Sequence, residues 1–233
     1  MTDPAALARL VDWAAVTGDE VVLDVACGPG LVAAAIAPRV RHVTAIDLTP
    51  AMLTRGVEVA CEQGAANVAF VCGDVTALPC ATDSFDRVIS RRAFHHFPEP
   101  ERVLAEMARV CRPAGAVVIE DQAPPADAGA ADAMTTIDRL RDPSHTRAVD
   151  PASWPMLFAT CGLTLDDIDV RPRELDVDEW MTRAHPPPED AARARAMLEA
   201  AARGEIPGLD ARHVDGALRF TIGLQIVRAH PTH

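Results

Sequence analysis

A chain of 233 residues is long enough for one large domain with its own core and too short for two ordinary enzyme domains and a linker. Its 49% hydrophobic and 24% charged residues exclude collagen-like and wholly disordered classes, and its formal net charge of -12 gives a surface that repels phosphate backbones, against a nucleic-acid partner. It contains neither Lys nor Tyr, which removes Schiff-base chemistry, P-loop lysines and phenolic acids from consideration.

The opening residues lack a basic start followed by a long apolar stretch. The longest apolar run, Leu31 to Ala37, stops at Pro38, so neither a signal peptide nor a membrane span is expected. The six cysteines (27, 61, 72, 80, 111 and 161) show no CxxC or Cys/His metal spacing, which predicts reduced, mostly core thiols in a cytoplasmic protein that binds no metal.

In chain order, residues 4–16 read as an amphipathic helix, and VVLDVAC (21–27) as a buried parallel strand ending at a Gly-Pro-Gly turn. LVAAAIA follows as a short helix and HVTAID (42–47) as a second strand. Thr49 is expected to cap a helix with Pro50 in its first turn and Gly64 at its stop. Strands at 67–74, 85–92 and 116–121 enclose a helix over 98–112, and this alternation predicts an open, doubly wound, mostly parallel α/β sheet of the Rossmann type. Beyond 122 come an Ala/Pro/Asp-rich stretch, a helix carrying RLRDPSH, a helix over 151–161, a strand within 164–174, a helix over 185–204 and a strand over 217–228. Residues 1–233 are read as one domain, with 123–147 and 176–204 as mobile helical insertions covering the substrate. Their flanks are poor in apolar anchors. No residue pattern specifies an oligomeric state.

The chemistry gathers at strand ends. Gly28 and Gly30 stand where the first strand turns into the first helix, where a missing side chain lets backbone approach a ligand. Nineteen residues after Gly28, Asp47 ends the second strand within reach of a ribose diol. Asp74 ends the third, placed to accept from an adenine amino group.

Together VLDVACGPG, AIDLTPAML, CGDVTALPCATDSFDRVIS, RRAFHHF and the CRPAG turn before AVVIED resemble the class I S-adenosylmethionine-dependent methyltransferases, in the small-molecule branch that makes ubiquinone and menaquinone. The resemblance covers residues 5 to 121 closely and 135 to 229 loosely. It implies a seven-stranded sheet, S-adenosyl-L-methionine as cofactor and a small-molecule acceptor. It places Asp24 near the methionyl amino group, Gly28 and Gly30 under the methionine and ribose, and Asp47 on the ribose hydroxyls. Leu48 and Met52 would lie against adenine, with Asp74 and the Val75 N–H on its edge. Ala26 departs from the pattern, standing where the family has its first glycine, and so does Ala114 in the turn before the fifth strand.

The rival nucleotide reading is a dinucleotide dehydrogenase, since Gly28-Pro-Gly30-Leu-Val-Ala33 fits GxGxxG/A. It leaves Asp24 and Asp74 without a role. Alternation at the end of the fourth strand should turn one of Arg91 and Arg92 toward the pocket, and Arg91 matches the family's R-x-A-x-H-H-F pattern, as a clamp for a carboxylate of cofactor or substrate. His96 is a candidate base or substrate contact, and His145 a second candidate base. Arg141, His145 and Trp180 are expected to contact a substrate of anionic, carboxylate-bearing character. Two further readings of the same motifs stand beside methyl transfer. One is an enzyme that cyclises the cofactor's own chain and releases methylthioadenosine; the other is a cofactor-binding protein without catalysis.

Overall fold

The computed structural model describes residues 4–232. Helix α1 (Pro4–Ala14) precedes β1 (Val21–Val25), α2 (Leu31–Ile36), β2 (His42–Asp47), α3 (Pro50–Glu62), β3 (Val68–Cys72), β4 (Phe85–Arg91), α4 (Pro100–Val110) and β5 (Cys111–Ala123). Then follow α5 (Ala128–Arg141), α6 (Trp154–Thr160), β6 (Leu163–Asp176), α7 (Val177–Ala184), α8 (Pro188–Ala202), β7 (Ala211–Val214) and β8 (Ala217–Pro231). Seven strands lie in the order β3-β2-β1-β4-β5-β8-β6, and the short β7 pairs with β8 beside this path. β1 to β5 are parallel, while β8 runs antiparallel to both β5 and β6.

Residue alternation explains why both faces are covered. Val22, Val43, Ile89, Val118 and Ile226 point into one core with α1, α2 and α3, whereas Leu23, Ile46, Val88, Val117 and Val227 point into the other with α4 and α6. A third apolar cluster lies over the long ends of β6 and β8, where Met134 and Ile137 of α5, Trp180 of α7 and Leu198 of α8 meet Phe220. The insertions therefore do have apolar anchors, contrary to the expectation from their flanks. Asp176 begins α7, a helix separate from α8 within the expected helical insertion, by accepting from the N–H groups of Asp178 and Glu179. Thr49 holds the cap position of α3, but its side chain makes no capping bond.

The chain winds from β1 outward to β3 and then crosses back to β4, so the strand order reverses between β1 and β4. At such a switch point the loops diverge and leave a crevice at the strands' carboxyl ends. Among the described residues no helix is long and apolar enough to cross a membrane.

Candidate active site

β1 carries Asp24 to this crevice. The residue is buried; its Oδ2 accepts from the Ala33 N–H of α2 at 3.1 Å, and its Oδ1 has no hydrogen-bond partner in the protein. Burial pushes its carboxyl up to about 7, against the pull of Ala33 and Arg91. An ammonium group is the natural complement of such an oxygen. Gly28, at φ +51, has no atom within 4 Å of where a Cβ would stand, so the backbone there faces open space. Gly30 serves packing instead. At φ +66 a Cβ would meet the Phe70 ring at 2.7 Å, so this glycine seats the turn against β3. Ala26 takes φ 54, the left-handed conformation that suits the glycine it replaces.

Asp47 fastens the turn to β2. Its Oδ2 accepts from the Gly28 N–H at 2.8 Å and its Oδ1 from the Thr49 N–H at 2.9 Å, and each oxygen keeps a second lone pair. Leu48 and Met52 are exposed beside it, at 68% and 45%, an apolar rim with nothing packed on it. Asp74 lies on the same edge, folded back onto Thr76 through its N–H and hydroxyl at 2.8 Å each, with Val75 buried behind it.

From Asp24 and Gly28 a cavity of about 540 Å³ extends beneath α5 and α7. Five arginines line it, Arg91, Arg92, Arg141, Arg173 and Arg183, against the three aspartates Asp24, Asp121 and Asp142. Both Arg91 and Arg92 reach it, because Arg92 adopts φ 53 and breaks the strand alternation that should have turned one away. Their Nε atoms donate to one oxygen of the fully buried Glu120, at 2.8 and 3.2 Å, and Nη2 of Arg91 is buried without a partner. Arg141 lies 4.5 Å over the Trp180 ring and donates from Nε to the Trp180 carbonyl at 3.0 Å. Trp180 itself packs edge-on against Phe220.

The short 3₁₀ turn after β4 brings in His95 and His96, which also line the cavity. His95 Nδ1 is 2.5 Å from Asp121 Oδ1, and Asp121 Oδ2 accepts from the His95 N–H at 2.9 Å. Burial works against the charge on His95, but Asp121 outweighs it and raises the imidazole above its ordinary value. His145 is not a lining residue, a correction to its expected substrate and catalytic roles. It is buried one layer behind, stacked on His95 at 5.1 Å, with Nε2 3.6 Å from Asp138 Oδ2; burial, then the charges of His95 and His96, push it down to about 4.

Of the expected residues, Asp24, Gly28, Arg91, His96, Arg141 and Trp180 thus surround one cavity; Asp47 adjoins it through the Gly28 N–H, while Leu48, Met52 and Asp74 lie beyond its lining, after the ends of β2 and β3. His95, Glu120, Asp121, Arg173 and Arg183 were missed. Glu120 and Asp121 lie near the carboxyl end of β5 as Asp24 and Asp47 do in their strands, and that shared position was the available signal.

A family model described as a methyltransferase domain matches residues 22–115. YcgJ of Bacillus subtilis, an uncharacterized methyltransferase, is 32% identical over 181 residues, 78% of this chain and 72% of that protein. Its crystal structure superposes with a TM-score of 0.91 over 99% of both chains at 26% identity. A demethylmenaquinone methyltransferase of Renibacterium salmoninarum is 35% identical over 48% of this chain and 45% of its own length. With the ordered strand-end motifs and the crevice at the switch point, these similarities establish that the chain belongs to the class I S-adenosylmethionine-dependent methyltransferases.

Proposed function

We propose that the acceptor is a small anionic molecule, carboxylate-bearing in the simplest case, held by the arginines of the cavity. The observation that carries this reading is the cavity's charge: five arginines line it against three aspartates, with one buried carboxylate, Glu120, shared by Arg91 and Arg92 behind the wall, in a chain whose net charge is -12. A confined positive wall on an acidic protein concentrates anions where the rest of the surface repels them. Arg141 supports it further, since Trp180 and its own Nε bond fix the guanidinium in orientation and leave its other nitrogens for a planar anion.

The site also fits the cofactor. The unpartnered Oδ1 of Asp24 suits the methionyl ammonium, the open face of Gly28 admits the chain beside it, and the free lone pairs of Asp47 suit a ribose diol. Leu48 and Met52 would cover the adenine, with Asp74 and Val75 at its edge. When bound, S-adenosylmethionine supplies a methyl carbon activated by sulfonium charge. What remains for the protein is alignment and exclusion of water, and proximity alone contributes about 7 to 11 kcal/mol. Arg91 holds the junction between the two ligands through its buried pair with Glu120.

Incubation with S-adenosylmethionine, with and without small-molecule extract, followed by identification of the adenosyl product, tests the reading. S-adenosylhomocysteine formed only with anionic fractions, and lost in Arg141→Ala, is the expected result. Methylthioadenosine would point to cyclisation instead, and turnover confined to neutral or cationic acceptors would remove the anionic assignment.

A further inference from the structure

His95 and His96 have ring centroids only 4.1 Å apart, yet they are wired to different carboxylates. Ser144 Oγ stands 2.6 Å from Asp142 Oδ1 and 2.9 Å from His96 Nδ1. Burial opposes the charge of Asp142, but the hydroxyl and N–H of Ser144 hold it below the usual carboxylate range, so it is ionised and can only accept. A serine hydroxyl has one proton. With that proton given to Asp142, Ser144 must accept from His96, which puts the imidazole hydrogen on Nδ1 and leaves a lone pair on Nε2. Nε2 takes no partner among the described residues, and the ring lines the cavity.

The neighbouring ring is in the opposite state. His95 Nδ1 faces Asp121, whose carboxyl is held below its ordinary range despite burial, and that carboxylate holds the His95 imidazole above its ordinary value. Four titratable groups face His96: His95 on its own turn, Asp121 from β5, and Asp142 and His145 from the segment after α5. Burial and the His95 charge prevail over Ser144 and the two aspartates, and hold His96 below the ordinary histidine value. Two adjacent imidazoles thereby have their proton affinities driven apart, His95 upward and His96 downward. The 142–146 segment is itself tied to the turn, because the Thr146 N–H and hydroxyl donate to the His95 carbonyl at 2.7 and 2.8 Å.

We propose that His96 Nε2 is the base that takes the acceptor's proton, with Ser144 and Asp142 as positioning residues, so that the acceptor atom is a hydroxyl oxygen or an acidic carbon of the anionic molecule. This rests on the methyl-transfer reading above and adds the acceptor's chemical class. The electron pair of the acceptor's O–H or C–H bond stays on that atom as it bonds to the methyl carbon. The methyl–sulfur bond would break with its electron pair left on sulfur, releasing S-adenosylhomocysteine; the proton crosses to Nε2, the positive charge lost from sulfur reappears on the imidazolium, and the imidazolium then returns its proton to water. A thiolate acceptor, already deprotonated, would leave the relay without a purpose.

Two measurements on the whole chain test it. In protein labelled with ¹⁵N-histidine, long-range proton–nitrogen spectra should show His96, assigned by its loss in His96→Gln, as the neutral Nδ1–H tautomer at pH 7. Its titration midpoint should move upward in His95→Gln, and Ser144→Ala should release the other tautomer. An Nε2–H tautomer, a protonated His96 at pH 7 or an unmoved midpoint overturns the proposal. Iodoacetate, an anionic alkylating agent, should carboxymethylate His96 at Nε2 roughly tenfold or more faster than neutral iodoacetamide, read by peptide mapping. Equal rates at Nε2 would leave the base standing and sink the anionic reading. A spared His96, or alkylation at Nδ1, would sink the base.

Discussion

Ala26 holds a φ of 54 where its family has glycine. A left-handed non-glycine residue costs about 1–2 kcal/mol, while glycine loses roughly 0.5–1 kcal/mol more backbone entropy on folding, so strain relief wins. Ala26→Gly should therefore stabilise the protein by about 0.5–1 kcal/mol in urea titration; a loss of stability would show that the methyl packs better than its backbone suggests. Asp24 gives a pH signature. Its carboxyl, at about 7 when folded against an ordinary 3.8, keeps a proton that the unfolded chain releases. Between those values the native state binds more protons, so this group's contribution to stability falls as pH rises from about 4 to 7 and is level beyond. Asp24→Asn should remove that slope and make the ligand-free protein more stable at pH 8 by on the order of 2–4 kcal/mol. S-adenosylmethionine should release a proton on binding near pH 6.5 in the wild type and not in the variant, seen by calorimetry in buffers of different ionisation enthalpy. Asp47→Ala should weaken the same binding by roughly 1.5–3 kcal/mol, and an unchanged dissociation constant would take Asp47 out of the site. Asp24, Gly28 and Asp47 were legible because a fixed strand-to-loop geometry dictates their place. His95 and Ser144 were not, since their roles depend on which tautomer a distant segment enforces.

At the scale of elements, α5, α7 and α8 share one apolar cluster with β6 and β8, and α5 and α7 also roof the cavity through Arg141, Trp180 and Arg183. If they act as the lid proposed for 123–147 and 176–204, they should move as one body. Hydrogen exchange with S-adenosylhomocysteine and acceptor should then show protection rising in both segments together. Slow exchange that ligands leave unchanged would make them fixed structure. Pattern alone gave α8 through its proline-acidic start and terminal glycine, and it placed 176–204 in a helical insertion without drawing α7 as a separate helix, eight residues long and preceded by strand-like sequence. β7 was missed although Asp215-Gly216, at φ 50 and 81, is a two-residue hairpin turn. Four residues were too few for alternation to register.

Over the whole molecule, the doubly wound, mostly parallel character of the sheet followed from the alternation of strands with helices, whereas the place of β8 between β5 and β6 could not be read from local pattern, because antiparallel insertion is a long-range choice. A buried polar knot fixes it. Trp154 Nε1 donates to Gln225 Oε1 at 2.8 Å, and Gln225 Nε2 donates to the carbonyls of Gln122 and Val149 at 2.9 and 2.8 Å, joining α6, β8 and β5. Trp154→Phe would strand the Gln225 oxygen in the core and should cost about 1–3 kcal/mol in denaturant unfolding. No measurable loss would mean that water reaches the knot. The position of β8 also bears on how the protein is made. Strand β5 ends at Ala123, and the partner for its outer edge begins only at Ala217. At a synthesis rate of roughly 5–20 residues per second, β5 waits on the ribosome for several seconds with an apolar, unpaired edge. During that interval the nascent chain is a template for strand addition by its neighbours, so crowded polysomes, more than any weakness of the finished fold, should set the yield of active protein.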